Sequence, residues 1–292
     1  MDGGEPFMGH RACAGCGGAL AVRIALKALG RRAVAVLPAG CMSAVGFNFP
    51  QLCFSNNAII STFAGTASMM TGIAAGLRAR GERDFKVVGF AGDGGTADIG
   101  IQALSGAIDR GDDMIYICYD NEGYMNTGTQ RSSLTPYGAR TTTTPAAGGA
   151  RGNRLEKKNM LEIVAAHGIP YAATASVGYL RDYARKVEKA AAIEGPSYIQ
   201  VLAPCPTGWG ADPSETIDLA REAVDCGLWP LAEFEGGRLS LGAEPRDPSL
   251  LRAHLARQAR FAHLTDGDLR RIEEGRDRRL DRMRGRAAKE EC

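Results

Sequence analysis

The chain has 292 residues, of which 45% are hydrophobic and 23% charged; that composition suits a folded globular protein and excludes disordered and fibrous classes. The formal net charge of +2 says little about partners, and no run of 18 or more apolar residues marks a spanning helix. The N-terminus lacks a basic segment followed by an apolar one, so a cytoplasmic location is expected. In a reducing compartment, metal or cluster ligation is a better use than disulfides for those of the eight cysteines that lie close together.

In chain order, Cys13-Ala-Gly-Cys16-Gly-Gly precedes a helix expected over 19–29, with apolar Leu20, Ile24 and Leu29. Two cysteines separated by two residues can point both sulfurs at one metal centre, and the glycines let the backbone turn and offer N–H groups to them. Such a centre needs about four ligands, so this pair is incomplete. The apolar run 32–37 reads as a short buried strand ending at Pro38, and it delivers 39–43 as a loop with Cys41 as a candidate third ligand. A strand over 58–63 and a helix over 67–80, stopped by Gly81, follow.

Two polar loops come next. The strand 85–91 leads to Gly92-Asp93-Gly94-Gly95, a helix is expected from Asp98 to Gly111, and the strand 114–119 leads to Asp120-Asn121-Glu122-Gly123. Both loops fall at the C-terminal ends of strands, where open parallel sheets bind ligands. Asp93 offers a carboxylate, Asn121 a side-chain carbonyl and Gly123 a backbone carbonyl, an oxygen set suited to Mg²⁺ that leaves places for phosphate oxygens and water. Glycines 92, 94 and 95 allow close backbone approach and present N–H donors to a diphosphate. Taken singly, each loop reads equally well as a turn.

The stretch 131–154, with four successive threonines and no hydrophobic period, reads as a long functional loop. A helix at 159–167, a strand at 171–174, a helix at 180–193 and a strand at 197–202 follow, and the last strand delivers Cys205 at a third strand-to-loop junction. Ser214 is expected to cap a helix to Cys226, and 231–241 to form a hairpin turning at Gly236-Gly237. Two helices are expected over 248–286. Alternation over 32–202 is the pattern of a doubly wound, mostly parallel α/β sheet. Residues 1–227 are expected to form the cofactor-binding domain, and 228–292 a hairpin and helical C-terminal extension facing a partner or another copy. Acidic residues interleaved with the tail arginines argue against a nucleic-acid contact.

The pairing of Asp93 with Asn121, 28 positions on, resembles the thiamine diphosphate signature. GDGGTADIG and YDNEGYMNTGTQRSSLTPYG, with GHRACAGCG, APCPTGW and QARFAHLTDGDLRRI, resemble the β subunit of the 2-oxoacid:ferredoxin oxidoreductases, especially those acting on pyruvate. The resemblance covers most of the chain. It implies a thiamine-diphosphate-binding fold, with Asp93, Asn121 and Gly123 on Mg²⁺, and Gly92, Gly94, Gly95, Asn121 and Thr127 about the cofactor. Asn126 would sit near the reacting carbon as a catalytic contact. It also implies a [4Fe–4S] cluster on Cys13, Cys16, Cys41 and Cys205; from the residues alone, a zinc site satisfies the same sulfurs.

Thiamine diphosphate would then supply the carbanion-stabilising chemistry of an oxidative decarboxylation, with electrons leaving through the cluster to ferredoxin and coenzyme A taking the acyl group. The family places the glutamate that activates the aminopyrimidine on the α subunit, and γ and ferredoxin-like δ subunits or domains complete the complex, so the chain is expected to be inactive by itself. Oxalate- and branched-chain-2-oxoacid-specific members share this plan. Readings from other classes are a non-redox thiamine enzyme with structural zinc, and a non-catalytic electron-transfer subunit, which intact Asp93, Asn121 and Gly123 count against. Cys53, Cys118, Cys226 and Cys292 are read as structural and most of the four histidines as structural or surface, with His10, just before the cysteine pair, a candidate for a place near the cofactor.

Overall fold

The computed structural model describes residues 4–148, 151–242 and 244–290. The chain enters through α1 (Gly17–Leu29), whose Ala21, Val22, Ala25 and Leu26 recur at helical spacing and are buried on the sheet. Strand β1 (Ala33–Pro38) is buried along its whole length, as a continuous Ala/Val/Leu run requires of a strand covered on both faces. There follow α2 (Cys41–Gly46), a short hairpin of β2 (Phe47–Asn48) and β3 (Gln51–Leu52), and β4 (Asn57–Ser61). Next are α3 (Thr66–Ala79), β5 (Lys86–Gly92), α4 (Asp93–Ala97), α5 (Ile101–Asp109) and β6 (Met114–Asp120).

After the long loop come α6 (Met160–Ala165), β7 (Tyr171–Ser176), α7 (Leu180–Ala192), β8 (Pro196–Leu202), α8 (Pro206–Trp209) and α9 (Thr216–Asp225). The chain ends with β9 (Ala232–Glu235), β10 (Arg238–Leu241), α10 (Leu251–Ala256) and α11 (Asp266–Glu290). One eight-stranded sheet runs in the order β10-β9-β7-β8-β6-β5-β1-β4. From β7 to β4 every pairing is parallel. One apolar layer joins α1 and α7 to one sheet face, and a second joins α3, α5 and α6 to the other, so the doubly wound α/β architecture is as the alternation implied. Between β1 and β5 the chain reverses its direction of travel across the sheet: β1 leads outward to β4, and β5 to β6 on the opposite side. Such a crevice is where open sheets bind ligands.

Three local expectations are corrected. GDGG is not a free loop before a helix starting at Asp98: Gly92 caps α4, which begins at Asp93 itself, and α5 begins only at Ile101. Cys41 is the first residue of α2 rather than part of a 39–43 loop. Ser214 is not a helix cap, because Asp212 accepts from its backbone N–H at 2.8 Å and holds a 3₁₀ turn ahead of α9.

The 228–292 stretch packs on this chain's own sheet. Strand β9 pairs antiparallel with β7, and Met283 of α11 joins the core layer that contains Phe234 and Leu239. Among the described residues no helix is long and apolar enough to cross a membrane. Cys292 lies outside the described residues.

Candidate cofactor site at the ends of β1, β5 and β6

A cavity of about 120 Å³ opens at the reversal between β1 and β5, and its walls include Gly40, Cys41, Gly92, Asp93, Gly94, Gly95, Asn121, Gly123, Asn126 and Thr127. Phe63, Tyr119 and Tyr124 supply its aromatic walls. Glycine is required at 94, where a Cβ would meet the Tyr124 ring at 2.4 Å. Tyr124 is itself fixed by donating its hydroxyl to Asp98 Oδ2 at 2.8 Å.

At the floor, one arm of the Asn121 side-chain amide lies 2.9 Å from Asp93 Oδ1 and 2.9 Å from the Gly123 carbonyl oxygen. With nitrogen in that arm, Asn121 donates to both. With oxygen there, the Asn121 oxygen stands about 2.9 Å from each of the other two, the separation of neighbouring ligands in an octahedron of Mg–O about 2.1 Å. Asp93 is 1% exposed. Burial, with the charge of Asp120 behind it, pushes its carboxyl well above the usual range, while Ser132 and Lys157 oppose this. A divalent cation would restore the carboxylate, so the donor set fits Mg²⁺ in geometry and in charge.

Ser132 comes from the long loop and donates its hydroxyl to Asp93 Oδ2. Thr135 donates to the Glu122 carbonyl at 2.9 Å. The loop is pinned by buried Asn153, whose amide donates to the carbonyls of Thr135, Pro136 and Leu155 and accepts from Arg131 Nε at 3.0 Å. This orders the described residues of the loop, 131–148 and 151–154, without a helix or strand.

Behind the oxygens lies a buried charge network. Lys157 Nζ stands 2.8 Å from both Asp120 Oδ2 and Glu122 Oε1, and Arg260 Nη2 stands 2.5 Å from Glu122 Oε2. Burial alone would raise the Glu122 carboxyl; the two cations overcome it and hold it at about 2. Glu122 adopts φ 68°, a left-handed conformation rare outside glycine, between Asn121 and Gly123. A second cavity, of about 110 Å³, lies beyond Lys157 and Arg260 under α10 and α11; Glu122, Trp209 and Arg260 line it, and none of the expected metal, diphosphate or cluster ligands does.

Cys16 caps α1 and accepts from Ala19 N–H at 3.4 Å, and Cys205 caps α8 and accepts from Gly208 N–H at 3.4 Å. Burial pushes both thiols up and these N–H donors oppose it, a balance that a sulfur-bound metal centre would tip toward the thiolate. The two loops are joined, since Gly17 N–H donates to Pro204 O at 3.1 Å and Thr216 Oγ1 to Gly15 O at 2.6 Å. Gly15 admits no side chain, for a Cβ would stand 2.3 Å from the Pro213 carbonyl at φ +69°. Burial pushes the Cys41 thiol up to about 12, reinforced by Cys16, Cys205, Asp93 and Cys13. The four cysteines therefore share one neighbourhood beside the cavity that Cys41 lines. Among the described residues, no three His, Cys, Asp or Glu side chains are grouped tightly enough for a single ion.

Cys53, Cys118 and Cys226 are buried in the apolar core. His10 accepts from Ala12 N–H at 3.3 Å and stacks on Phe7, outside the cavity wall. Sequence reading brought out Asp93, Asn121, Gly123 and the four cysteines, but missed Ser132, Lys157, Arg260 and Tyr119. A Cβ on Gly92 or Gly18 would stand 3.3 or 3.4 Å from the Tyr119 ring. Tyr119 thus fills the space between the cavity and the first cysteine loop.

Residues 38–201 match the thiamine pyrophosphate enzyme family, C-terminal TPP binding domain. The chain is 50% identical over 272 residues to pyruvate synthase subunit PorB of Methanothermobacter marburgensis, covering 92% of this chain and 94% of that one. It is 48% identical over 276 residues to ketoisovalerate oxidoreductase subunit VorB of Pyrococcus horikoshii, covering 91% and 88%. In fold it is similar to a 2-oxoglutarate:ferredoxin oxidoreductase chain from Magnetococcus marinus, at a TM-score of 0.60 and 22% identity over 76% of this chain and 81% of that one.

Proposed function

This chain belongs to the β subunits of the thiamine-diphosphate-dependent 2-oxoacid:ferredoxin oxidoreductases, and from that premise we propose that it serves the oxidative decarboxylation of pyruvate to acetyl-coenzyme A and CO₂, passing electrons through its own [4Fe–4S] cluster to ferredoxin. The observation that carries the cofactor half of the reading is that one arm of the Asn121 amide stands 2.9 Å from both Asp93 Oδ1 and the Gly123 carbonyl, the separation of neighbouring ligands on Mg²⁺. Thiamine diphosphate, when bound, supplies the carbanion-stabilising chemistry. This chain's residues do the placing: Asp93, Asn121 and Gly123 hold Mg²⁺, Gly92, Gly94, Gly95 and Thr127 face the diphosphate, and exposed Asn126 at the cavity rim contacts the reacting end.

For the cluster, Cys13, Cys16, Cys41 and Cys205 are the ligands. Tetrahedral zinc, with Zn–S of about 2.3 Å, draws its sulfurs to within about 3.8 Å of each other. A four-iron cube takes the same four sulfurs at wider spacing, and the family resemblance favours it over a single ion. Asp93 is the one acid among the described cavity-lining residues, in keeping with an aminopyrimidine-activating glutamate supplied by an α subunit. We place γ and ferredoxin-like δ subunits alongside it, coenzyme A as acyl acceptor, and the whole in the cytoplasm, in keeping with free thiols among the described cysteines.

The test is the reconstituted complex assayed with a panel of 2-oxoacids for dye reduction, alongside iron, sulfide and zinc analysis of this chain. Pyruvate-dependent turnover by the complex, none by this chain alone, and iron with acid-labile sulfide are expected. Substantial turnover by the lone chain sinks the shared-site reading, and zinc without iron sinks the cluster. A branched-chain substrate is the second reading, favoured by the near-equal identity to the ketoisovalerate relative; faster turnover of 2-oxoisovalerate would establish it.

A further inference from the structure

We infer that Arg260 is a positioning residue that locks the metal loop to the cluster loop, so that the affinity of the cofactor site and the potential of the cluster are set by one guanidinium. The inference rests, for its redox half, on the reading of Cys205 as a cluster ligand. Arg260 is 5% exposed and approaches Glu122 Oε2 at 2.5 Å. Its guanidinium carbon lies 3.9 Å from the centroid of the Trp209 ring. Trp209 in turn donates its indole N–H to the Asn121 carbonyl at 2.8 Å, and its backbone N–H to the Cys205 carbonyl at 2.8 Å. The result is a closed ring of contacts: Arg260 to Glu122, Glu122 to Asn121 along the chain, Asn121 to Trp209, and Trp209 back to Arg260.

Each member leaves this ring with a task. Glu122 carries the left-handed φ that sets where the Asn121 side chain and the Gly123 carbonyl point. Trp209 ends the short helix that Cys205 caps. Gln258 Oε1 accepts from Arg260 Nε at 2.9 Å and Nη2 at 2.8 Å, which fixes the fork in plane. A planar fork that pairs and stacks at once is a task lysine cannot take over, although lysine preserves the charge. The guanidinium is also a buried positive charge within electrostatic reach of Cys205. Positive charge near a cluster favours its more negative, reduced state.

The test compares Arg260→Met and Arg260→Lys in the assembled complex. Supporting residues of metal sites are worth about 10–100-fold in affinity, so Arg260→Met is expected to weaken Mg²⁺–thiamine diphosphate binding, titrated into cofactor-free complex, by that factor. It is also expected to move the midpoint potential of the cluster, identified by its loss in Cys205→Ser, to a more negative value. Arg260→Lys is expected to keep the potential near wild type and still lose affinity. Unchanged affinity or unchanged potential in Arg260→Met overturns the inference. If Arg260→Met does not assemble, Arg260→Lys and Glu122→Gln decide, and wild-type cofactor affinity in both overturns it. Absence of iron from the wild-type chain would defeat the cluster reading, and the affinity measurements would still decide the role of Arg260.

Discussion

Glu122 and Glu233 are each held by two cations, and they do different things. Glu122, at the strand ends, is 8% exposed and is gripped by Lys157 and Arg260. Glu233, on β9, takes Arg185 at 2.6 Å and Lys189 at 3.0 Å, with Tyr171 donating to it at 2.9 Å. Both carboxyls are held at about 2. The cations differ: Arg260 is 5% exposed at the side chain and Arg185 53%. Water screens the second arrangement and not the first, so equal depression of acidity means unequal dependence of the fold. The pair on β9 ties the hairpin to α7, while the buried one shapes a loop.

That contrast breaks down if the two glutamates respond alike to removal. Glu122→Gln leaves two buried cations undercompensated, a change of about 3–5 kcal/mol. It is expected as faster hydrogen exchange at the Tyr124 amide, which normally donates to Gln130 O at 2.9 Å. Trp209→Phe keeps the ring and removes the donor to the Asn121 carbonyl. An unsatisfied buried acceptor costs about 1–3 kcal/mol, so exchange should rise in the same loop by less. Glu233→Gln should loosen β9 by about 1 kcal/mol or less.

Raising salt from about 0.01 M to 1 M shortens the screening length from about 30 Å to 3 Å. It should shrink the Glu233→Gln effect and leave the Glu122→Gln effect in place; equal salt sensitivity would refute the contrast. The smallest effect is in pH. Because the folded Glu233 carboxyl sits at about 2 against an ordinary 4.5, its contribution is complete above 4.5 and fades as pH falls toward 2. The difference in β9 exchange between wild type and Glu233→Gln, corrected for intrinsic rates, should therefore narrow between pH 5 and pH 3, values chosen to straddle that ordinary carboxylate range.

What could be read from the sequence were groups whose chemistry is local. Asp93 with its glycines, Asn121 before a glycine, and four cysteines at strand ends or in a CxxC each announce themselves within a few residues. What could not be read were partners joined by the fold. Arg260 meets Glu122 from 138 positions away, Lys157 from 35, and Ser132 meets Asp93 from 39. No periodicity marks them, and arginine 260 reads as one more basic residue in a basic tail. The start of α4 at Asp93 was hidden for a different reason. Glycines disfavour a helix by propensity, yet only glycine fits beside Tyr124 at position 94, and tertiary packing overrode the local preference.

The ring closed by Arg260 also sets a timetable. At ribosomal rates of about 5–20 residues per second, the 138 positions between Glu122 and Arg260 take roughly 7–28 s to synthesise. Throughout that interval β5 and β6 are already made but Glu122 lacks Arg260, and until Trp209 is added, 88 positions after Asn121, the Asn121 carbonyl lacks its indole donor as well. The nascent chain thus has its cofactor motif long before it has a competent site, and cofactor capture belongs to the finished polypeptide rather than to the growing one.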